Sequence, residues 1–289
     1  MADEFPIPEN LSKTCSERPE WAAWLERLPA TLRDLRARWS LTLSEPFQTG
    51  ICSWVAPAVT ADGVPVVLKL GLPHMEGADE VAGLRFWNGD PTVRLIDADD
   101  ALNAMLLERC VPGTLLRTRP EPEQDVVIAS LLNRMWRRPA APHPFRPLSV
   151  MAHHWIESSL ADADRWLDPA LTREGLQVME EMARARTGDV LLATDLHAGN
   201  VLAAEREAWL AIDPKPFVGD PAYDATQHLF NCKDRFTADP VTMIARFADL
   251  LDIDRERVRL WVFARLAAEP RDWGLEWHKS LAAARLLAP

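Results

Sequence analysis

The sequence predicts an α+β fold: a small N-terminal antiparallel β-sheet with one helix, followed by a larger and mainly helical part. Three observations carry this. From Leu41 the apolar period shifts from helical to strand-like. Asp62-Gly63 lies between two extended runs and marks a tight hairpin turn. After Gly113 the apolar residues return to helical spacing and keep it to the C-terminus.

Residues 1 to about 18 are polar, carry Pro6 and Pro8, and are expected at the surface or partly frayed. Trp21, Trp24, Leu25 and Leu28 then fall on one face of a helix whose first turn can hold Pro19. A second helix is predicted over about Ala30–Trp39, with Leu32, Leu35 and Trp39 on one side. Gln48–Val55 reads as a small-residue turn between two extended pieces, and Val64–Leu70 as the next strand. Glu80–Trp87 reads as a helix with Val81, Leu84 and Trp87 inward. Val93–Ile96 and Ala104–Glu108 are two strands around the acidic turn Asp97–Asp100. Helices follow at about Val126–Trp136, Leu171–Arg186, Val241–Leu251, Glu256–Ala268 and Trp273–Leu287, and another begins at Gly219-Asp220-Pro221. Four prolines make Pro139–Pro147 a loop. The expected divisions are a helical extension over 1–40, a small lobe of strands and one helix over 41–110, and a helical lobe over 111–289.

A chain of 289 residues is long enough for one large domain or two lobes with buried cores. Its 48% apolar content is that of a globular protein. No apolar run approaches the ~20 residues that span a bilayer, and the acidic N-terminus lacks the apolar segment of a secretory signal. Cys15, Cys52, Cys110 and Cys232 form no C-x-x-C pair, so reduced thiols in a cytoplasmic protein are expected. A net charge of −11 argues against a nucleic-acid partner and is compatible with a cationic one. The adjacent His153 and His154 point apart on a helix, have no third ligand near, and read as ordinary residues.

The stretch Val190–Asp224 carries the chemistry. Asp195 and Asn200 stand five residues apart in D-L-H-A-G-N, and Asp213 ends an apolar run thirteen residues later. Phosphoryl transfer needs a carboxylate to accept a hydroxyl proton, oxygen ligands for magnesium, and a fixed loop that holds them together. In the pattern D-x-x-x-x-N followed by a further Asp, the first Asp is the base and the Asn and second Asp hold metal. Asp195 is therefore the candidate base, and Asn200 and Asp213 the candidate ligands of Mg2+. Upstream, Lys69 lies inside an apolar strand, which is costly without an anionic partner. It reads either as the lysine that reaches the phosphates of ATP or as a residue on the exposed face of an edge strand; the downstream motif favours the first. A Glu on the following helix would orient such a lysine, and Glu80 is the choice, with Glu76 and Asp79 as alternatives.

The residues Asp195-Leu196-His197-Ala198-Gly199-Asn200-Val201-Leu202, then Trp209-Leu210-Ala211-Ile212-Asp213-Pro214, then Val218-Gly219-Asp220-Pro221 with Asp224, resemble the aminoglycoside phosphotransferase branch of the protein-kinase-like fold. Within it they are most similar to the streptomycin and hydroxyurea phosphotransferases. Weaker similarity runs from about Trp21 to the C-terminus. In one departure, the family has His and then Gly or Trp before the catalytic Asp, where this chain has Ala193 and Thr194. That His is mainly a brace of the loop; the base and metal ligands are kept.

The resemblance implies a two-lobe kinase-like architecture, with ATP and Mg2+ as cofactors. It implies transfer of the γ-phosphate to a hydroxyl of an antibiotic, a streptomycin-type aminoglycoside first, with resistance as the outcome. The alternatives are a kinase for hydroxyurea or another small hydroxyl or sugar compound, and a nucleotide-binding pseudokinase. It implies that Ser53 reaches a phosphate and that the backbone at Glu108 and Cys110 meets the adenine ring. It places Glu269 and Glu276, with Asp272, where acidic groups face the substrate, although a solvated helix face explains them equally. His197 reads as a ligand, an acid or a brace beneath the site, and the family pattern supports the brace. Asp220 is expected to accept N–H groups of the catalytic loop, with Asp224 supporting it. A small-molecule acceptor, cationic or sugar-like, is the expected partner of a monomer, with neither nucleic acid nor membrane involved. A protein kinase is disfavoured, because Asp213 to Asp220 is too short for an activation loop and no A-P-E follows.

Overall fold

Five strands form the N-terminal sheet: β1 (Thr42–Leu43), β2 (Ser53–Val59), β3 (Pro65–Gly71), β4 (Leu95–Asp99) and β5 (Ala104–Glu108). The order is β1-β2-β3-β5-β4, all antiparallel. The structure is a computed structural model and describes residues 5–185, 188–268 and 277–289. The chain divides into two compact units, Met1–Gly113 and Thr114–Pro289.

In the N-terminal unit, β2 and β3 turn at Asp62-Gly63, where Gly63 takes φ 85°, a conformation glycine adopts without penalty. Two helices precede the sheet: α1 (Glu9–Cys15) and α2 (Pro19–Arg38). The first was not expected. Its Leu11 and Cys15, with Phe5, are buried in one core with Leu28, Leu32 and Leu35 of α2 and Trp54, Ala56, Val66, Leu68 and Leu70 of the sheet. The polar N-terminal segment thus has enough apolar positions to dock. The two helices predicted around residue 29 are one, with Pro29 inside it. Pro29 removes one backbone donor, but the buried stripe Trp24, Leu28, Leu32, Leu35 runs through it and holds the helix together. Helix α3 (Glu80–Trp87) has the expected bounds and ends on Asn88 in the left-handed region. Strand β4 runs on through Asp97–Asp99, past a register shift at Leu95/Asp97, so the acidic turn lies later than predicted.

Strand β6 (Pro112–Leu115) leads to the C-terminal unit, whose described helices are α4 (Glu121–Met135), α5 (Leu148–Ala161), α6 (Pro169–Arg184), α7 (Pro221–Asn231), α8 (Lys233–Ala238), α9 (Pro240–Leu251), α10 (Arg255–Ala268) and α11 (Trp277–Leu287). Helices α6, α7 and α9 open identically. Asp168, Asp220 and Asp239 stand at the N-cap and accept a backbone N–H of the first turn, and a proline follows at the first helical position. Helix α10 is the hub, with Val258, Trp261, Val262, Phe263, Ala264, Leu266 and Ala267 all buried, against α6, α7, α9 and α11. From Trp261 to Ala268 every residue is buried, so the second half of α10 has no solvent face. A side chain at Gly175 of α6 would collide with Ala267, so the glycine lets α6 and α10 approach. Helices α5 and α8 were not predicted. No described helix is long and apolar enough to cross a membrane.

Four short strands carry the chemistry-bearing stretch: β7 (Val190–Leu192), β8 (Val201–Ala204), β9 (Leu210–Ala211) and β10 (Phe217–Gly219). Strand β7 pairs with β10, and β8 with β9, both antiparallel. The inner hairpin is thereby nested within the outer pair. The loop 193–200 and the return segment 212–216 must then run side by side.

Candidate active site

Alternation along β3 sets the charged pair of the N-terminal unit. Val66, Leu68 and Leu70 point into the helical core, so Lys69 points to the other face. There its Nζ lies 2.6 and 2.7 Å from the two carboxylate oxygens of Glu80, the first residue of α3. Lys69 is 5% and Glu80 2% exposed, so each charge depends on the other. Glu76 and Asp79, the alternatives, form the 3-10 turn before α3. Ser53 opens β2 opposite Gly71, and a side chain at Gly50 would press on the Ser53 carbonyl. Glu108 ends β5; its N–H donates to the Arg94 carbonyl and its carboxylate accepts the Arg94 N–H. Cys110 follows it, half-buried.

In the C-terminal unit the nested strands bring Asp195, Asn200 and Asp213 together. The Ile212 N–H donates to the Asn200 carbonyl at 2.9 Å, and the Lys215 N–H to the Ala193 carbonyl at 2.8 Å. Asn200 Nδ2 donates to the Asp195 carbonyl at 3.0 Å and lies 3.4 Å from Asp195 Oδ2. With that amide nitrogen turned to the loop, the atom Asn200 offers elsewhere is Oδ1, an oxygen. Asp213 takes φ 54°, and its Oδ1 meets Lys215 Nζ at 2.5 Å. A carboxylate and an amide oxygen form a hard donor set of the kind Mg2+ takes, and the Asp213 carboxylate already accommodates a positive charge. The residues present therefore fit a divalent cation.

Thr194 takes φ 50°, and its Oγ1 donates to the Lys215 carbonyl at 2.6 Å. Beneath it lies Asp224 of α7, buried, which accepts the N–H groups of Ala193 at 2.9 Å and Thr194 at 2.7 Å and the Trp136 indole N–H at 2.9 Å. Burial pushes its carboxyl up to about 6, against these three donors. Asp220, expected to accept loop N–H groups, does not reach the loop. It caps α7 through Ala222 and takes the Trp261 indole N–H at 2.6 Å, with Arg257 beside it. The loop's anchor is one helical turn further on.

His197 Nδ1 accepts the Gly199 N–H at 3.0 Å, and burial, with Arg117 and His228 nearby, lowers its pKa to about 4. The ring is neutral near pH 7, and its one proton is on Nε2, 3.9 Å from Asp195 Oδ1. A side chain at Gly199 would strike the Arg117 guanidinium and the His197 ring, so a larger residue there would displace them. Two contacts were not foreseen: Lys215 on Asp213, and Gln227 of α7, whose Nε2 donates to Asp195 Oδ1 at 2.7 Å. Gln227 carries no charge and belongs to no motif, so nothing in the sequence singles it out. Glu269 and Glu276, with Asp272, lie outside the described residues.

Asp125, His228 and Cys232 could in principle gather around a metal. Asp125 is instead held by Arg235 at 2.5 and 2.8 Å, Arg246 at 3.3 Å and His228 at 2.9 Å. Although burial opposes it, the His228 and Arg235 hydrogen bonds bring the Asp125 carboxyl down to about 2, while burial pushes the Cys232 thiol up to about 12. With two guanidinium groups on its carboxylate and a protonated thiol, this cluster pins α4 to α7, α8 and α9 and does not suit a cation.

Residues 38–273 match the family described as aminoglycoside/hydroxyurea antibiotic resistance kinase. The streptomycin 6-kinase of Streptomyces glaucescens is 38% identical over 273 residues, 91% of this chain and 88% of that protein. The hydroxyurea phosphotransferase of Kitasatospora aureofaciens is 38% identical over 253 residues, 84% of this chain and 72% of that protein. Among solved structures, a choline kinase from Streptococcus pneumoniae aligns with TM-score 0.59 at 12% identity, covering 89% of this chain and 97% of that one. The last likeness shows the fold, which is protein-kinase-like as the sequence predicts. By the extent of these matches, the chain belongs to the aminoglycoside/hydroxyurea antibiotic resistance kinase family.

Proposed function

We propose that the chain transfers the γ-phosphate of ATP to a hydroxyl of a streptomycin-type aminoglycoside in the cytoplasm, and so inactivates the antibiotic. The observation that carries the reading is the C-terminal loop, where Asp195 and Asn200 are hydrogen-bonded together and Asp213 is stitched beside them. The 38% identity to a streptomycin 6-kinase over 91% of the chain supports the acceptor.

In this reading Asp195 accepts the proton of the attacking hydroxyl. The acceptor O–H bond breaks as a new O–P bond forms. The bond from the γ-phosphorus to its bridging oxygen breaks, and ADP leaves with that electron pair. Asn200 and Asp213 would hold Mg2+, which supplies charge neutralisation to the phosphates when bound. Lys69, oriented by Glu80, binds phosphate, and Ser53 and the backbone at Glu108 and Cys110 bind nucleotide. Lys215 holds the Asp213 carboxylate in place. His197, neutral and bonded to Gly199, braces the loop. Little covalent chemistry falls to such residues, so positioning and charge supply most of the rate. Glu269 and Glu276 are proposed to meet the cationic groups of the acceptor.

A hydroxyurea acceptor is the second reading, supported by 38% identity to a hydroxyurea phosphotransferase. A pseudokinase is less well supported. The bonds from Asp224 to Ala193 and Thr194, and from Thr194 to Lys215, brace the loop without the family's histidine. The test is ATP consumption with magnesium against streptomycin, other aminoglycosides, hydroxyurea and simple amino sugars. Turnover on streptomycin supports the first reading and turnover on hydroxyurea the second. Mg-ATP binding without turnover on either contradicts both.

A further inference from the structure

The carboxylate of Asp195 is held from a helix, not only from its own loop. Gln227 Nε2 donates to Asp195 Oδ1 at 2.7 Å. Its other amide atom, Oε1, lies 3.4 Å from both terminal nitrogens of Arg265. A guanidinium carries donors only, so the atom facing it must be the amide oxygen. A carboxylate carries acceptors, so the atom facing Asp195 must be the amide nitrogen. Both neighbours select the same orientation, and a flipped amide would lose both bonds at once.

Arg265 is itself fixed. It is 3% exposed on α10, lies over the rings of Tyr223 at 4.7 Å and Phe230 at 5.2 Å, and donates to Thr226 Oγ1. Such stacking is worth more when the cation is desolvated. The chain of contacts runs from a buried helix through Gln227 to the reacting carboxylate. The same helix α7 carries Asp224, which fixes the backbone just before Asp195. One rigid element thus sets both the main chain and the side chain of that residue.

We propose that Gln227, oriented by Arg265, is a positioning residue that fixes the Asp195 carboxylate for proton acceptance. This rests on the reading of Asp195 as the base. It assigns a role in the reaction to a residue outside the phosphoryl-transfer motif, and it places the control of geometry in the helical unit.

The test uses the full chain, with Mg-ATP and streptomycin. Gln227→Leu keeps the volume and removes the donor. We expect kcat to fall on the order of 100-fold, the cost of a misplaced catalytic group. The acceptor KM and the Mg-ATP Kd should stay near the parental values, while the unfolding midpoint falls modestly because Arg265 loses the Gln227 oxygen. Gln227→Glu, which sets a second carboxylate against Asp195, should fall at least as far. Gln227→His, whose Nε2–H reaches about as far as the amide, should recover much of the loss. Parental kcat in Gln227→Leu would overturn the inference. So would a loss that appears equally in Mg-ATP Kd and unfolding midpoint, or one that Gln227→His fails to recover. Asp195→Ala separates the two layers. If it turns over normally, the base reading itself falls. If it is inactive while Gln227→Leu is unimpaired, the positioning role alone falls.

Discussion

The Asp224 carboxylate accepts the backbone N–H of Thr194 at 2.7 Å, across thirty residues of chain. Its second oxygen accepts the Ala193 N–H and the Trp136 indole N–H, both at 2.9 Å. These bonds hold the two residues that precede Asp195, at the positions where the chain departs from its family. A buried carboxylate thus braces the main chain just before Asp195.

Asp224→Ala leaves two buried backbone N–H groups and the part-buried Trp136 indole N–H without an acceptor. Each unsatisfied group costs about 1–3 kcal/mol, so we expect stability to fall by about 3 kcal/mol or more. Turnover should drop with it, on the order of 100-fold, because the loop loses its anchor. Urea unfolding and steady-state kinetics on the same preparation check both. Asp220→Ala should differ: it costs stability through the cap of α7 and the Trp261 and Arg257 contacts, with a smaller effect on kcat in the folded protein.

Thr194→Val keeps the shape and removes the hydroxyl that donates to the Lys215 carbonyl. The buried carbonyl loses this donor, so we expect a loss of about 1–3 kcal/mol in stability. The return segment carrying Asp213 should loosen, which weakens Mg-ATP binding. Calorimetric titration of Mg-ATP into the variant measures it, and an unchanged Kd contradicts the coupling of the two segments.

Two buried carboxyls predict opposite slopes of stability against pH. Asp224 titrates at about 6 in the fold, above its ordinary value of 3.8, so the folded chain binds a proton that the unfolded chain does not. Its contribution is fully present below pH ~4 and is lost as pH rises through about 6, a change of roughly 3 kcal/mol. Asp125 titrates at about 2, below 3.8. Its contribution is present above pH ~4 and is lost as pH falls through about 2, roughly 2 kcal/mol. Unfolding free energies at stepped pH for Asp125→Asn and Asp224→Asn, each compared with the parent, separate the slopes. Differences that stay constant with pH contradict the assignment.

Lys69→Met leaves the Glu80 carboxylate buried without its cation, and Glu80→Gln strands the ammonium. Breaking such a pair from either side costs about 3–5 kcal/mol. In the folded fraction the two should differ. Lys69→Met removes a proposed phosphate contact and should weaken Mg-ATP binding roughly 10- to 100-fold, the worth of a charged hydrogen bond. Glu80→Gln keeps the ammonium and should weaken it less. Equal weakening would mean that Lys69 acts only through the fold.

Much of this was legible in the sequence. A lysine inside an apolar strand called for an anionic partner, and Glu80 was the choice for it; the helix spacing gave α3 its bounds from Glu80 to Trp87. The order Asp195, Asn200, Asp213 is local enough to read directly. What escaped depends on tertiary partners. Nothing in Pro29 itself says that a buried stripe will carry α2 through it. The sequence reading favours Asp220, with Asp224 in support, and only the register of α7 decides for Asp224. Gln227 carries no charge and no motif, so its contact with Asp195 emerges only when α7 is folded against the loop.

The central claim is that Asp195 is the proton acceptor of a phosphoryl transfer. The most direct measurement is phosphate transfer from ATP to streptomycin by Asp195→Ala beside the parent, with the Mg-ATP Kd of each by calorimetry. The account predicts transfer by the parent, its loss in the variant, and a Kd that is largely unchanged. Transfer by Asp195→Ala at the parental rate would contradict it.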